Sequence, residues 1–325
     1  MRNRIVELML DNKEEFISGE EISKQLGISR TAIWKHINNL KEDGYEIEAV
    51  NRKGYRLIGK PEDILNQVNI SYKLDTDFIG NEIIHMDTVD STNNYAKNVA
   101  MSKENGTVVI SEEQTMGRGR VGRQWKSSKG EGIWMSIILK PQIIPYKAPF
   151  ITLIAGASIT KALNGLGIKT EIKWPNDIII NNKKIAGILT ELSSEIDMIN
   201  YVVVGIGINI KTKEFDEEIK DIATSVYKEG YDKTRVEIVR NILVEFEKMY
   251  KDYVEHDNRE EVINICRKYS AIIGKSIYTI QGDKKELVEC IDMNAEGNLI
   301  VKDSMGEIRE ILSGEVSIRG VKGYV

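Results

Sequence analysis

Residues 114–125 read QTMGRGRVGRQW, with glycines at 117, 119 and 122 interleaved with Arg118, Arg120 and Arg123. Glycine tolerates positive φ and exposes bare backbone, so consecutive N–H groups can converge on one ligand. Arginine adds a planar, permanently charged fork that matches phosphate and carboxylate geometry. The combination predicts an anion-binding loop that is costly in entropy to order and stays mobile until an anion arrives. A solvated basic loop or a nucleic-acid arm is the plainer reading of this segment alone.

Four further segments carry residue types of the same chemistry. DSTNN, Asp90 to Asn94, opens an expected helix directly after a strand, so its small polar side chains and free N–H groups suit a polar, uncharged ligand head. The alternative there is an ordinary helix cap. KWPND closes a strand: Pro175 stops ladder pairing, and Asn176 and Asp177 offer oxygens suited to a hydrated magnesium ion. Lys184 stands three residues before Gly187, where a lysine can hold a carboxylate or phosphate against bare backbone. In VVVGIGINI, Gly205 and Gly207 lead to Asn209; glycines in a buried strand mark close packing or a surface on which a ring can lie.

These segments need a scaffold. A chain of 325 residues is long for one domain, and its 41% hydrophobic and 29% charged composition is that of a globular protein. With a net charge of −5, any nucleic-acid contact must be local. Cys266 and Cys290 form no metal or redox motif, and the start of the chain has no long apolar core, so a cytoplasmic protein without a membrane segment is expected. Between about 75 and 265, strands are expected at EIIHMD, TVVISEE, IWMSIIL, EIKW, IAGILTEL and YVVVGIGINI, with helices at 91–102, 147–165 and 234–256. From about 270, SIYTI, ELVECIDM, NLIVKD, EIREIL and EVSIRG are short strands separated by QGD, AEG and MGE turns, which predicts a small antiparallel barrel.

Residues 1–60 follow a different pattern. Ile5, Leu8 and Met9 form one stripe, Ser18 and Glu21 a capping box, and Gly27 a break before a third helix capped by Ser29. That helix turns Ile33, Ile37 and Leu40 inward and Arg30, Thr31, Trp34, Lys35 and Asn38 outward. YEIEAV and GYRLI, joined through Asn51, Arg52, Lys53 and Gly54, complete a winged helix-turn-helix. Residues 1–27 hold four basic and six acidic side chains, and residues 28–60 seven and four, so the positive charge sits where DNA phosphates would be met. A protein-interaction module is the other reading. A linker or linking helix is expected around Gly59, Lys60 and Pro61.

DSTNN, EQTMGRGRVGRQW, KWPNDI, KIAGIL and GIGINI, in that order and with ATSV at 223–226, resemble the biotin protein ligase family in its bifunctional form with an N-terminal DNA-binding domain. The resemblance spans essentially the whole chain. It implies an α+β multidomain protein: a winged helix-turn-helix at 1–62, a central mixed α/β sheet domain at 63–268 similar to class II aminoacyl-tRNA synthetases and lipoate ligases, and an SH3-like β-barrel at 269–325. It also implies ATP and Mg2+ with biotin as substrate, a biotin carboxyl-carrier domain of acetyl-CoA carboxylase or a related enzyme as acceptor, operator DNA of biotin genes, and a homodimer when the adenylate is bound.

Carried over by motif, Ser91, Thr92, Asn93 and Gln114 surround biotin's ureido ring and nearby groups. Arg118, Gly119 and Arg120 wrap biotin and its adenylate, Lys184 meets the carboxylate and the attacked phosphate, and Gly187 lies close to the ligand. Arg118, Arg120 and Lys184 are the expected catalytic residues. Arg123 faces the triphosphate, Trp125 and Asn209 the adenine, and Lys173, Asn176 and Asp177 the nucleotide and magnesium. One departure is Ser127–Ser128, where relatives often have Ser-Pro. The alternatives are a ligase with a vestigial DNA-binding domain, a biotin-sensing regulator without chemistry, and a lipoate or octanoate ligase.

Overall fold

The computed structural model describes residues 1–12, 15–42, 44–59, 63–313, 316–321 and 323–325. Lys60 and Pro61 of the expected linker lie outside the described residues, as does Glu315 at the start of the last expected strand. The chain divides into two compact units, Met1–Lys73 and Leu74–Val325.

The first unit holds α1 (Arg2–Asp11), α2 (Gly19–Leu26), α3 (Arg30–Glu42), the hairpin β1 (Glu46–Val50) and β2 (Gly54–Gly59), and a short α4 (Gln67–Ser71), a few residues beyond the place expected for a linker or linking helix. Ser18 Oγ accepts the Glu21 N–H at 3.0 Å, Gly27 turns at φ 66°, and Ser29 Oγ accepts the Ala32 N–H at 3.2 Å, so the expected caps and break set the helix limits. Ile5, Met9, Ile22, Ile33, Ile37 and Leu40 fill one core; Val6 is fully buried beside them and Leu8 only partly. Ile17 bridges Tyr55 and adds a third strand segment to the wing. A Cβ at Gly54 (φ 110°) would meet the Ile17 carbonyl oxygen at 2.0 Å, so this turn admits only glycine.

The second unit is built on a seven-stranded sheet ordered β3-β4-β5-β9-β8-β7-β6. Its strands are β3 (Ile83–Val89), β4 (Val108–Gln114), β5 (Gly132–Leu139), β6 (Glu171–Lys173), β7 (Asp177–Ile180), β8 (Lys183–Ser194) and β9 (Ile199–Asn209). Only β3 and β4, joined through α5 (Thr92–Val99), run parallel; the other pairs are antiparallel. The sheet is mixed, as expected, with tight hairpins along one side in place of helical crossovers. Trp174–Pro175, a cis peptide, turns β6 into β7, and Asn181–Asn182, both at positive φ, turn β7 into β8.

Two helices, α6 (Phe150–Gly165) and α7 (Arg235–His256), pack on each other, and α8 (Glu260–Lys268), which the sequence does not announce, packs on α6. Helix α6 begins at Phe150, after a 3₁₀ turn at Pro145–Lys147, and not at 147. It covers one sheet face, where Thr152 Oγ1 reaches Thr190 Oγ1 at 2.8 Å. Side chains alternate along β8, so Gly187 and Leu189 face the opposite way, onto the face that carries α5. The remaining strands, β10 (Ser276–Gln281), β11 (Lys284–Met293), β12 (Leu299–Lys302), β13 (Ile308–Ile311) and β14 (Ser317–Gly320), form an antiparallel sheet ordered β13-β12-β11-β10-β14. The expected strands are all present there; among the described residues the ladder has two ends and does not close by hydrogen bonding.

Candidate functional site

The α5 face of the large sheet is stripped of side chains at its centre. Across the ladders Gly205 stands opposite Ser136 and Leu189, and Gly207 opposite Trp134 and Gly187. Asn93 lies on Gly205: a Cβ there would meet Asn93 Oδ1 at 2.1 Å. The amide is fully held. Its Nδ2 donates to Leu189 O (3.1 Å) and Glu191 Oε2 (2.8 Å), and its Oδ1 accepts from Ser136 Oγ (2.6 Å). Burial pushes the Glu191 carboxyl up, but the hydrogen bonds from Lys97 and Asn93 hold it below the ordinary value, so the anchor of Asn93 is an anion.

Ser91 is the N-cap residue of α5, yet its hydroxyl makes no capping bond. The Thr92 N–H and hydroxyl both donate to Gln114 Oε1, at 2.8 and 3.1 Å, while Gln114 Nε2 donates to Ser127 Oγ at 2.8 Å. A side chain from β4 thus satisfies the helix end, and Ser91 and its neighbours line a small cavity of about 50 Å³.

The glycine–arginine loop is folded back on itself. Arg118 bridges Gln124, Gln114 bridges Ser127, and the Trp125 N–H donates to Gly117 O at 2.9 Å. A Cβ at Gly117 would lie 2.2 Å from the Trp125 carbonyl oxygen, which explains glycine there. The fold-back aims the Trp125 indole at the bare strip: a Cβ at Gly207 would meet its Nε1 at 2.6 Å, and one at Gly187 its Cζ3 at 3.2 Å. The strip does accept a ring, and in this state the ring is the chain's own. Trp125 Nε1 is buried and has no hydrogen-bond partner among the described residues. Ser127 is buried and donates its hydroxyl to the Trp125 carbonyl at 3.1 Å, a bond that does not involve the side chain at 128.

Around this floor the charged groups converge. Lys184 Nζ lies 2.5 Å from Asp177 Oδ1 and 5.1 Å from the Trp125 ring, with its side chain over Gly187. Arg120 Nη1 donates to Asn176 Oδ1 at 3.0 Å, and Asn176 is fixed to Ile188 by its backbone oxygen and its Nδ2. Arg118 reaches Asn94 Oδ1 at 3.1 Å from an exposed position, and Arg123 is also exposed. Lys173 is buried beneath the Tyr324 ring, its Nζ 3.3 Å from the centroid. Burial pushes the Lys173 ammonium down to about 7; Asp177 opposes this, and the charges of Arg319, Lys184 and Arg123 add to it. Asn209 is buried and donates to Thr224 O at 3.2 Å, within the ATSV segment.

Two adjoining spaces result. The small cavity is lined by Ser91, Thr92, Asn93, Gln114, Arg118 and Gly187. A larger cleft of about 380 Å³ is lined by Arg123, Lys173, Asp177 and Asn209, together with Ser317, Arg319 and Tyr324 from the end of the chain. Gly119, Arg120, Trp125, Asn176 and Lys184 border both. The expected site residues of this unit are thus brought together. Sequence reasoning missed Ser136, Glu191, Arg319 and Tyr324, since an isolated residue on a strand or near a chain end carries no spacing signal.

Among the described residues no three His, Cys, Asp or Glu side chains gather to hold a metal ion unaided. Asp177 and Asn176 supply two oxygens, enough for a magnesium ion whose other ligands are phosphate and water. Both oxygens are already engaged, by Lys184 and Tyr324 and by Arg120.

In the first unit, Arg30, Thr31, Trp34 and Lys35 are exposed along α3 and Asn38 is half-buried, while Arg52 and Lys53 are exposed at the wing tip. Trp34 is 60% exposed, unusual for an indole without a partner surface. Arg30 is paired with Glu20 at 2.7 Å.

Comparison with known proteins agrees with this arrangement. Residues 86–209 match the Biotin/lipoate A/B protein ligase family, and residues 2–56 match the HTH domain. The chain is 40% identical over 323 residues to the Bifunctional ligase/repressor BirA of Bacillus subtilis (strain 168), covering 98% of each chain. It is 29% identical over 309 residues to the protein of the same name from Escherichia coli (strain K12), covering 95% and 94%. A solved biotin protein ligase from Aquifex aeolicus, in complex with biotin and ATP, matches with a TM-score of 0.65 and 32% identity, covering 74% of this chain and 99% of that one. With both units matched and a relative 40% identical along almost its whole length, the chain belongs to the bifunctional biotin ligase/repressor family.

Proposed function

We propose that the chain activates biotin with ATP and transfers it to a lysine of a biotin carboxyl-carrier domain, and that its helix-turn-helix unit represses biotin genes by binding their operator. One observation carries the catalytic half: Arg120 and Lys184 stand at the border between a small polar pocket and a larger basic cleft. A carboxylate and a triphosphate must meet somewhere, and their repulsion is the obstacle that fixed cations offset.

In this reading the ureido head of biotin lies among Ser91, Thr92, Asn93 and Gln114, with Gly187 beneath it. Arg118, Gly119 and Arg120 wrap the valeryl chain and the adenylate, and Arg123, Trp125, Lys173 and Asn209 take the nucleotide. The biotin carboxylate oxygen attacks the α-phosphorus, the bond to the β-phosphate oxygen breaks, and pyrophosphate leaves. The acceptor amine then attacks the acyl carbon of biotinyl-5′-AMP, loses a proton and expels AMP. Lys184 and Arg120 balance the charge that develops on the attacked phosphate, a role worth roughly 10²–10³ in rate for one well-placed donor. Magnesium brought by ATP would be held by Asp177 and Asn176 and would neutralise phosphate charge. Closure of loop 114–129 keeps water from the anhydride.

The finer parts of the reading belong with it. Domain limits at 1–62, 63–268 and 269–325, an SH3-like curl of the last sheet and a central fold shared with class II aminoacyl-tRNA synthetases are proposed. So are biotinyl-5′-AMP as corepressor, a homodimer that presents two helix-turn-helix units to a palindrome, and a cytoplasmic location. No described helix is long and apolar enough to cross a membrane.

The deciding experiment is pyrophosphate release with ATP and magnesium, comparing biotin, lipoate, octanoate and no acid. Release with biotin alone is expected. Release with lipoate or octanoate instead, or none despite biotin binding, would overturn the assignment.

A further inference from the structure

We infer that Tyr324 is a positioning residue of the adenylation site, fixing Asp177 from the end of the chain so that Asp177 in turn fixes Lys184; this rests on the proposed function. Tyr324 is 8% exposed, and its hydroxyl donates to Asp177 Oδ2. The other oxygen of the same carboxylate, Oδ1, receives Lys184 at 2.5 Å. The ring face lies 3.3 Å from Lys173 Nζ, and Arg319 Cζ is 5.9 Å from the same ring.

One side chain therefore meets two of the groups assigned to phosphate chemistry and braces a third. Asp177 is a single carboxylate in a cleft that four cations, Lys173, Lys184, Arg123 and Arg319, also border. Left with one free oxygen, it would turn toward whichever cation was nearest, and Lys184 would lose its fixed partner. The phenol occupies that oxygen without adding charge, so the carboxylate plane is set and Oδ1 stays on Lys184. The ring compensates in part for the water that Lys173 lacks, because an aromatic face attracts a desolvated ammonium. Simple packing of a chain end needs only an apolar ring; it does not need a hydroxyl on the cleft's Lys184-bound carboxylate.

The test compares Tyr324→Phe and Tyr324→Leu with the wild-type chain in both half-reactions. Adenylation is followed by pyrophosphate release with KM for biotin and for ATP; transfer is followed from pre-formed biotinyl-5′-AMP to a carrier domain. Tyr324→Phe should lower kcat for adenylation by about tenfold or more, the rate equivalent of one charge-assisted hydrogen bond. KM for biotin and the transfer rate should be unchanged, since Tyr324 does not border the small cavity. Tyr324→Leu should show the same kcat loss and also raise KM for ATP, because Lys173 loses its aromatic face.

Wild-type adenylation kinetics in Tyr324→Phe would overturn the inference, as would an equal loss in both half-reactions, which marks a merely structural residue. A wild-type chain that releases no pyrophosphate with biotin would overturn the proposed function first and this inference with it.

Discussion

Asn93 of α5 rests on the bare backbone of Gly205 in β9, so close that a methyl group on Gly205 would come within 2.1 Å of Asn93 Oδ1. The amide cannot step aside without losing bonds to Leu189, Glu191 and Ser136. Gly205→Ala should therefore weaken biotin binding by about tenfold or more, the equivalent of one misplaced buried hydrogen-bonding group. ATP binding should be retained. Calorimetric titration of each ligand separately checks both halves; unchanged biotin affinity would show that Asn93 does not read the ligand.

Lys184 is held by Asp177 over Gly187, where a carboxylate and a phosphate would meet. Lys184→Ala should reduce biotin-dependent pyrophosphate release by roughly 10²–10³. The fold should persist, because Lys184 is only half-buried. Near-wild-type release from this variant would remove it from the chemistry.

Burial holds the Lys173 ammonium at about 7, so much of it is neutral above that pH in the free chain. A triphosphate placed beside it favours the charged form and raises its pKa again. Binding of ATP about one pH unit above 7 should consequently take up a fraction of a proton. The uptake is measured by titration calorimetry in buffers of different ionisation enthalpy, and Lys173→Met should abolish it. The sign for stability is fixed too. Where the folded pKa lies below the unfolded 10.5, the unfolded chain binds more protons in between, so this group's penalty on folding is full below about 7 and is relieved as pH rises toward 10.5.

Arg235, the first residue of α7, forms a buried ion pair with Glu112 of β4 at 2.6 Å and donates to Gly132 O at 3.2 Å. Removing Arg235 takes a guanidinium at 2.6 Å away from a carboxylate that stays buried. Arg235→Leu should cost about 3–5 kcal/mol of stability, read from denaturant unfolding. A loss below about 1 kcal/mol would mean the pair behaves like a surface bridge.

On the DNA side, Arg52 and Lys53 project from the wing tip. Removing one phosphate-neutralising cation by alanine substitution should flatten the slope of log affinity against log salt by about 0.9. Trp34→Ala should instead narrow the gap between operator and random DNA. Equal salt slopes for wild type and the Arg52→Ala, Lys53→Ala double variant would take the wing off the DNA.

The periodic and punctuated parts of this chain are legible in its sequence. Caps at Ser18 and Ser29, the Gly27 break and the alternating strands follow local rules, and the structure places them as expected. Motif residues gather because DSTNN opens a helix, the glycine–arginine loop and KWPND follow strand ends, and Lys184, Gly187, Gly205 and Gly207 lie on the paired strands β8 and β9 beside them. What the sequence does not disclose depends on tertiary structure. Glu191 becomes a support for Asn93 only through the β8–β9 register, and Tyr324 reaches Asp177 across 147 positions of chain. Helix α8 escapes notice because its nine residues are too few for periodicity to stand out. The fold-back of the glycine–arginine loop is not legible either, because its closing bonds are backbone bonds, which composition does not reveal.

Gly187 and Gly207 face each other across β8 and β9, and the floor they make contains no side chain at all. Every other amino acid would add atoms there, so a mutational scan of these two positions should find no conservative replacement and no gradual slope. Such a surface cannot be retuned by swapping one group for another, only obstructed. A change of ring specificity in this protein would have to arise from the residues around that floor, with the floor itself left blank.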